Sequence, residues 1–330
     1  MRGSDTAPTD VALATDRRGA RGPRPAVRMT KPIGARSGPF ARLSGVQCMV
    51  LSAFFFSLMS LTVKIAGQRI PTLELMFARG LLVTVVIGLD LARRKVSLRG
   101  ADPGYLLLRG LVGFVALGCF YFAVVHLPLA EATVIHFTNP LFTAIIAAVF
   151  LGERLRASEL ALALLGLVGV AIMVRPAALL GPGGAPLPAL PVAASITAAL
   201  LAAVAYTLVR HLRDHDAMLV VFYFAGVTSL IAMPLMLPSF VWPRGTDWLM
   251  LLAVGVTTLF GQIFLTLGLQ RERASRATTA GYVQIVFATL WGALVFGDVP
   301  MATTLVGAAV IVASTLLLTR LRATAPDDDA

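Results

Sequence analysis

Charge is scarce in this sequence: 14% of its 330 residues are Asp, Glu, Lys or Arg, against 57% hydrophobic, with a mean hydropathy of +0.83. So little charge cannot coat a soluble globule of this length, which excludes the soluble classes and places the chain in a membrane. Cysteine is nearly absent. Cys48 and Cys119 both fall in long apolar runs and make neither a disulfide framework nor a metal-ligand spacing, so reduced, packed thiols are expected. A nucleotide-binding loop, a His-Glu-x-x-His helix and a nucleophile elbow are missing as well. The expectation is therefore no enzyme, no cofactor and no metal.

What the chain has in abundance is apolar runs near the roughly 20 residues that cross a bilayer. They cover 43–67, 71–92, 105–125, 132–151 and 157–174, then 190–209, 217–237, 248–269, 277–296 and 302–319. Near-continuous runs lack the period-2 alternation of barrel strands, so the fold expected is an all-α integral membrane protein of ten helices. Residues 1–42, rich in Arg, Gly and Pro with no apolar run, read as a disordered basic tail, with Met29 a second candidate start.

The net charge of +11 has a topological origin. Nine of the 28 Lys and Arg lie in that tail. Arg93, Arg94, Lys95, Arg99, Arg154, Arg156, Arg210, Arg213, Arg271, Arg273, Arg276, Arg320 and Arg322 follow even-numbered spans, on the same side. The other side has Arg69, Arg175 and Arg244, and Lys64, Arg79 and Arg109 lie inside spans. By the positive-inside rule both termini are cytoplasmic, and nucleic acid has no place as a partner.

A shift of 145 residues lays "ATVIHFTNPLFTAIIAAVFLGE" over "ATTAGYVQIVFATLWGALVFGD", matching Ala132 with Ala277, Asn139 with Gln284 and Gly152 with Gly297. A shift of 146 sets Val63-Lys64 over Val209-Arg210. The repeat is thus five spans long, and because five is odd the second copy starts on the opposite face. Two inverted five-helix repeats around a central cavity are the pattern of secondary transporters. The organisation expected is a first repeat at 43–175, an external linker at 176–189, a second repeat at 190–322 and an acidic tail at 323–330.

The paired five-helix units, the proline-containing fourth helix ending in "LGERL" and its echo "FGDVP" resemble the EamA-type transporters of the drug/metabolite transporter superfamily. The resemblance covers Leu43 to Thr319. It implies a cavity lined mainly by helices one, three, four, six, eight and nine, with five and ten peripheral, and carriage of a small metabolite across the inner membrane. Amino acids and their derivatives, S-adenosylmethionine among them, lead the implied solutes. The second copy has Ile285 where the first has Pro140, so equal distortion of the two helices does not follow.

Pro140 removes a backbone donor and crowds the carbonyl of His136, leaving an acceptor in need of a partner. His136 and Asn139 share a helix face and either line the cavity or bond a neighbouring helix. Gly152 reads as a C-cap, with Glu153 structural and Arg154 at the negative end of the helix dipole. Ionisable residues inside spans are costly and need partners. Lys64 with Glu74, and Asp90 with Arg109, are expected as structural ion pairs. Arg79 has no acid of the first unit at matching depth and is the leading anion contact, with helix-end carbonyls as its alternative. Tyr121, Tyr206, Gln262, Tyr282 and Gln284 complete the candidate substrate site, polar-tipped groups that suit a mostly apolar pocket.

The reading is a facilitator or exchanger of a small polar or zwitterionic metabolite working by alternating access. Proton coupling through His136 is the alternative, because every carboxylate falls at a span end. A membrane-embedded enzyme and a channel-like protein are the rivals from other classes. A homodimer stays open.

Overall fold

The computed structural model describes residues 42–98, 102–126, 135–152, 157–174, 188–296 and, between 306 and 317, all but 308 and 315. The basic tail, most of the 176–189 linker, the acidic tail, Glu131, Glu153, Arg154 and Asp298 lie outside these residues.

Helices account for the apolar runs, and no strand occurs among the described residues. They are α1 (Gly45–Ala66), α2 (Thr72–Arg93), α3 (Pro103–His126), α4 (Asn139–Leu151), α5 (Ala157–Val174), α6 (Ala189–His211), α7 (Ala217–Met236), α8 (Asp247–Arg271), α9 (Ala274–Ala280) and α10 (Val283–Phe296). Described residues between 306 and 317 are helical too. Six of the helices, α1 to α3 and α6 to α8, are long and apolar enough to cross a membrane.

Polar residues set the ends. Ser44 caps α1 by accepting from the Gln47 N–H at 3.1 Å, and the Gln47 side chain accepts from the Ser44 N–H at 2.8 Å, a reciprocal capping box. Asp216 caps α7 through the Met218 N–H at 2.8 Å. Gly152 ends α4 in the left-handed region at φ 65°, the C-cap its position suggests.

The long helices pair across the two halves. α1 packs on α8, α2 on α7 and α3 on α6, with α4 against α6 and α10 against α1. Exchanging the first, second, third and fourth spans for the sixth to ninth leaves this set of pairings unchanged. Small residues permit the close approach, as is common between helices in lipid. A side chain added at Gly80 on α2 would meet Ser229 Oγ at 2.5 Å and the Ala225 carbonyl at 3.1 Å on α7. The Ser52 hydroxyl on α1 donates to the Gly261 carbonyl of α8 at 2.9 Å.

The fourth and ninth spans are not continuous. A turn at Phe137-Thr138 precedes α4, and a turn at Gly281-Tyr282 separates α9 from α10. The two turns overlap under the 145-residue shift, which sets Phe137 over Tyr282, so Ile285 in place of Pro140 does not spare the second copy. In the first, the His136 carbonyl that Pro140 leaves free takes the Asn139 side-chain N–H at 2.8 Å. In the second, the chain tightens: Gly281 N–H bonds the Thr278 carbonyl at 3.0 Å, Tyr282 the Thr279 carbonyl at 3.2 Å and Gln284 the Gly281 carbonyl at 3.0 Å. Such i to i−3 bonding satisfies the backbone through a break without proline.

Candidate functional site

Arg79 sits about a third of the way along α2 with 4% of its surface exposed. Its Nη1 donates to the Tyr121 hydroxyl of α3 at 3.2 Å and lies 3.6 Å from Met59 Sδ on α1. Arg79 lines a small cavity with Gly80 and Val83 of α2, Phe224, Ala225 and Thr228 of α7, and Thr258 and Gln262 of α8. None of these lining residues is acidic. Thr228 Oγ1 and Thr258 Oγ1 are buried without a hydrogen-bond partner, and the Gln262 amide makes no side-chain hydrogen bond to a described residue. Arg79, Gln262, Thr228 and Thr258 therefore share one apolar-walled space, and the two hydroxyls have bonding capacity unused. This is the arrangement that binds an anionic polar group.

The two threonines could not be found in the sequence. Hydroxyls within membrane helices usually bond back to the carbonyl four residues earlier, as Thr84, Thr143, Thr207 and Thr257 do here at 2.6–2.9 Å. Thr228 and Thr258 depart from that habit, and nothing in their neighbouring residues marks it.

Of the sequence-expected set, the structure brings Arg79, Tyr121 and Gln262 together. The cavity lies between α2, α7 and α8, whereas the resemblance implied walls mainly from other helices. Tyr206 on α6 is half-buried and lies within electrostatic reach of Arg109. His136 stacks obliquely on Phe120 at 4.4 Å, its Nδ1 buried and unbonded. Asn139 spends its amide N–H on the His136 carbonyl and makes no hydrogen bond with Gln284, which is half-buried on α10. Tyr282 joins an apolar cluster with Ile285, Ile311 and Phe137, its hydroxyl buried without a partner. Asn139, Tyr282 and Gln284 do not line the Arg79 cavity.

Both expected ion pairs are replaced. Asp90 Oδ2 bonds Arg94 Nε at 2.8 Å, and Arg94 Nη1 reaches Asp216 at 2.7 Å, so Asp90 does not pair with Arg109. Arg94 lies one turn along the same helix, a nearer partner than any on the next helix. Arg109 instead lies over the Phe224 ring, 4.2 Å from its centroid. Glu74 accepts from the Val241 N–H at 3.1 Å rather than from Lys64, because the backbone connecting α7 and α8 comes over the start of α2 with an N–H to satisfy.

Two further pairs are related by the repeat. Arg69, before α2, meets Asp247 at the start of α8 at 3.3 Å. His215, before α7, meets Asp102 at the start of α3 at 3.5 Å. Arg69 and His215 are 146 residues apart, Asp102 and Asp247 145 apart. The pairs stand at opposite ends of α2, whose 22 residues span about 33 Å. The first ties a loop of the first half to a loop of the second, and the second does so when His215 is protonated.

Comparison with known proteins gives the class. The EamA-like transporter family matches the chain twice, over 43–175 and 190–320. The pseudopaline exporter CntI of Pseudomonas aeruginosa (strain UCBPP-PA14) is 34% identical over 281 residues, covering 84% of this chain and 97% of that protein. Human solute carrier family 35 member G1 is 30% identical over 302 residues, covering 88% and 82%. A protein crystal structure superposes with a TM-score of 0.70 at 24% identity, covering 84% of this chain and 98% of that one. The chain is a multi-pass membrane transporter. It belongs to the EamA-like transporter family, within the drug/metabolite transporter superfamily.

Proposed function

We propose that this protein is a secondary carrier, a facilitator or exchanger, that moves a small polar or zwitterionic metabolite bearing a carboxylate across the inner membrane by alternating access. The carrying observation is Arg79, buried and with no acid among the described residues lining its cavity, where Gln262 stands beside the unbonded hydroxyls of Thr228 and Thr258. In this reading the carboxylate replaces the missing counter-charge and the hydroxyls and amide take its remaining lone pairs. Outward movement is supported by the likeness to the pseudopaline exporter.

The architecture in this reading is ten helices in two inverted five-helix repeats, with both termini cytoplasmic. It is supported by the double family match, the self-mapping helix pairings and the distribution of Lys and Arg. The Arg69–Asp247 and Asp102–His215 pairs are then the two clasps of one device, holding the external and cytoplasmic loops closed in turn. Exposed pairs are worth up to about 1 kcal/mol. In a protein with Cys48 and Cys119 replaced, Asp247→Asn is therefore expected to raise labelling of a cysteine at Thr258 by external impermeant reagent up to about five-fold. Asp102→Asn should lower it. Labelling that both variants raise would remove the clasp reading.

Proton coupling through His136 remains the second reading. The imidazole stands beside Phe120 and Phe137, with no carboxylate in contact among the described residues. This surrounding favours the facilitator or exchanger. His136→Gln is expected to keep most of the exchange rate in proteoliposomes; wild-type uptake driven by an imposed pH gradient and lost in that variant would reverse the choice.

A further inference from the structure

We infer that Arg109 is a second anion contact and that the carried solute is a small dicarboxylate, held between Arg79 and Arg109. The inference rests on the reading of Arg79 as the first contact.

Arg109 lies on α3, 3% exposed, and its Nε and Nη1 are buried without a hydrogen-bond partner. Buried charges are as a rule paired, because removing an ion from water is costly. Arg276, similarly buried, does follow the rule through Glu272 at 3.2 Å. Among the described residues Arg109 meets the Phe224 face and makes no ion pair. A ring takes the flat side of a guanidinium and leaves its in-plane N–H groups pointing sideways, so stacking does not replace the missing acceptors. The acid expected to neutralise it, Asp90, is held by Arg94.

The place is built. A side chain at Gly113, one turn along α3, would collide with both Arg109 Nη1 and Phe224, so the glycine makes room for the stack. Phe224 is shared: Arg109 lies on it, and it lines the Arg79 cavity. The charged or titratable groups within electrostatic reach of Arg109 are Arg79 and Tyr206, not an acid. Two buried guanidiniums within electrostatic reach of each other, with Phe224 touching one and lining the cavity of the other, repel and together ask for two negative charges. One carboxylate fits at Arg79 among Gln262, Thr228 and Thr258. The second fits at Arg109, with the Tyr206 hydroxyl as a further donor. A monocarboxylate would satisfy one arginine and leave the other uncompensated.

The test is ligand-induced thermal stabilisation of the purified full chain with succinate, glutarate and adipate against butyrate, valerate and hexanoate. The wild type is expected to bind at least one dicarboxylate about ten-fold or more tightly than its monocarboxylate partner. Arg109→Gln should remove the preference while monocarboxylate binding persists, and Arg109→Lys, which keeps the charge, should retain part of it. Without ligand, Arg109→Gln should melt above the wild type, since an uncompensated buried charge is gone; a merely structural arginine would leave it melting lower. No preference in the wild type, no binding by any probe, or a preference that survives Arg109→Gln would overturn the inference. If Arg79→Gln weakens every probe while Arg109→Gln changes none, the function reading stands and this inference fails. If Arg79→Gln weakens none, the function reading itself fails.

Discussion

Transport of a carboxylate-bearing solute is expected to fall roughly ten- to a hundred-fold when Arg79 is replaced by Gln, with the fold intact. A charge-assisted hydrogen bond is worth about 1.5–3 kcal/mol, and each 1.4 kcal/mol is a factor of ten. The fold should tolerate the change because Arg79 makes few bonds of its own: the Tyr121 hydroxyl at 3.2 Å and the Met59 sulfur at 3.6 Å. Glutamine can still meet Tyr121 but brings no charge. Lysine is the informative comparison. It keeps the charge and loses the planar fork, so Arg79→Lys should fall between the wild type and Arg79→Gln if bidentate capture matters. Saturable uptake into proteoliposomes measures the loss, and the thermal midpoint without ligand separates it from misfolding. Unchanged uptake at every solute concentration, with Arg79→Gln folded, would remove Arg79 from the site.

How much of this was legible beforehand differs by level. Spans were readable because hydrophobic thickness sets helix length. The run at 43–67 becomes α1 (Gly45–Ala66), and that at 217–237 becomes α7 (Ala217–Met236). The repeat was readable because 145 residues separate matched patterns; the family matches the chain twice, and the Arg69–Asp247 and Asp102–His215 pairs are related by shifts of 145 and 146. Partner choice was not. Depth in the membrane put Asp90 level with Arg109 but could not weigh that pair against Arg94 one turn away. Glu74 was lost to a backbone N–H, and backbone donors carry no sequence signature. Arg79 could be singled out because its oddity, a deep cation with no acid nearby, lies in the sequence itself.

Gly80→Leu is expected to destabilise the protein more than any surface change, lowering its thermal midpoint by several degrees and disabling transport. Overpacking a tight contact costs roughly 1–3 kcal/mol and sometimes more. Here the new atoms have no way out. At Gly80 the first added carbon meets Ser229 Oγ at 2.5 Å, the Ala225 carbonyl at 3.1 Å and the Ser229 N at 3.3 Å. Two of these three are backbone of α7, which cannot rotate aside, and the Ser229 hydroxyl is held to the Ala225 carbonyl at 3.0 Å. The two helices must separate, and Arg79, next along the chain, goes with α2 away from Thr228. Gly118 on α3 provides the control, since a carbon added there meets nothing within 4 Å. Gly118→Ala should therefore leave transport unchanged and raise stability by about 0.5–1 kcal/mol, the usual gain of alanine over glycine within a helix. Equal melting of the Gly80→Leu and Gly118→Ala proteins in detergent would mean that the α2–α7 contact is looser than its geometry requires.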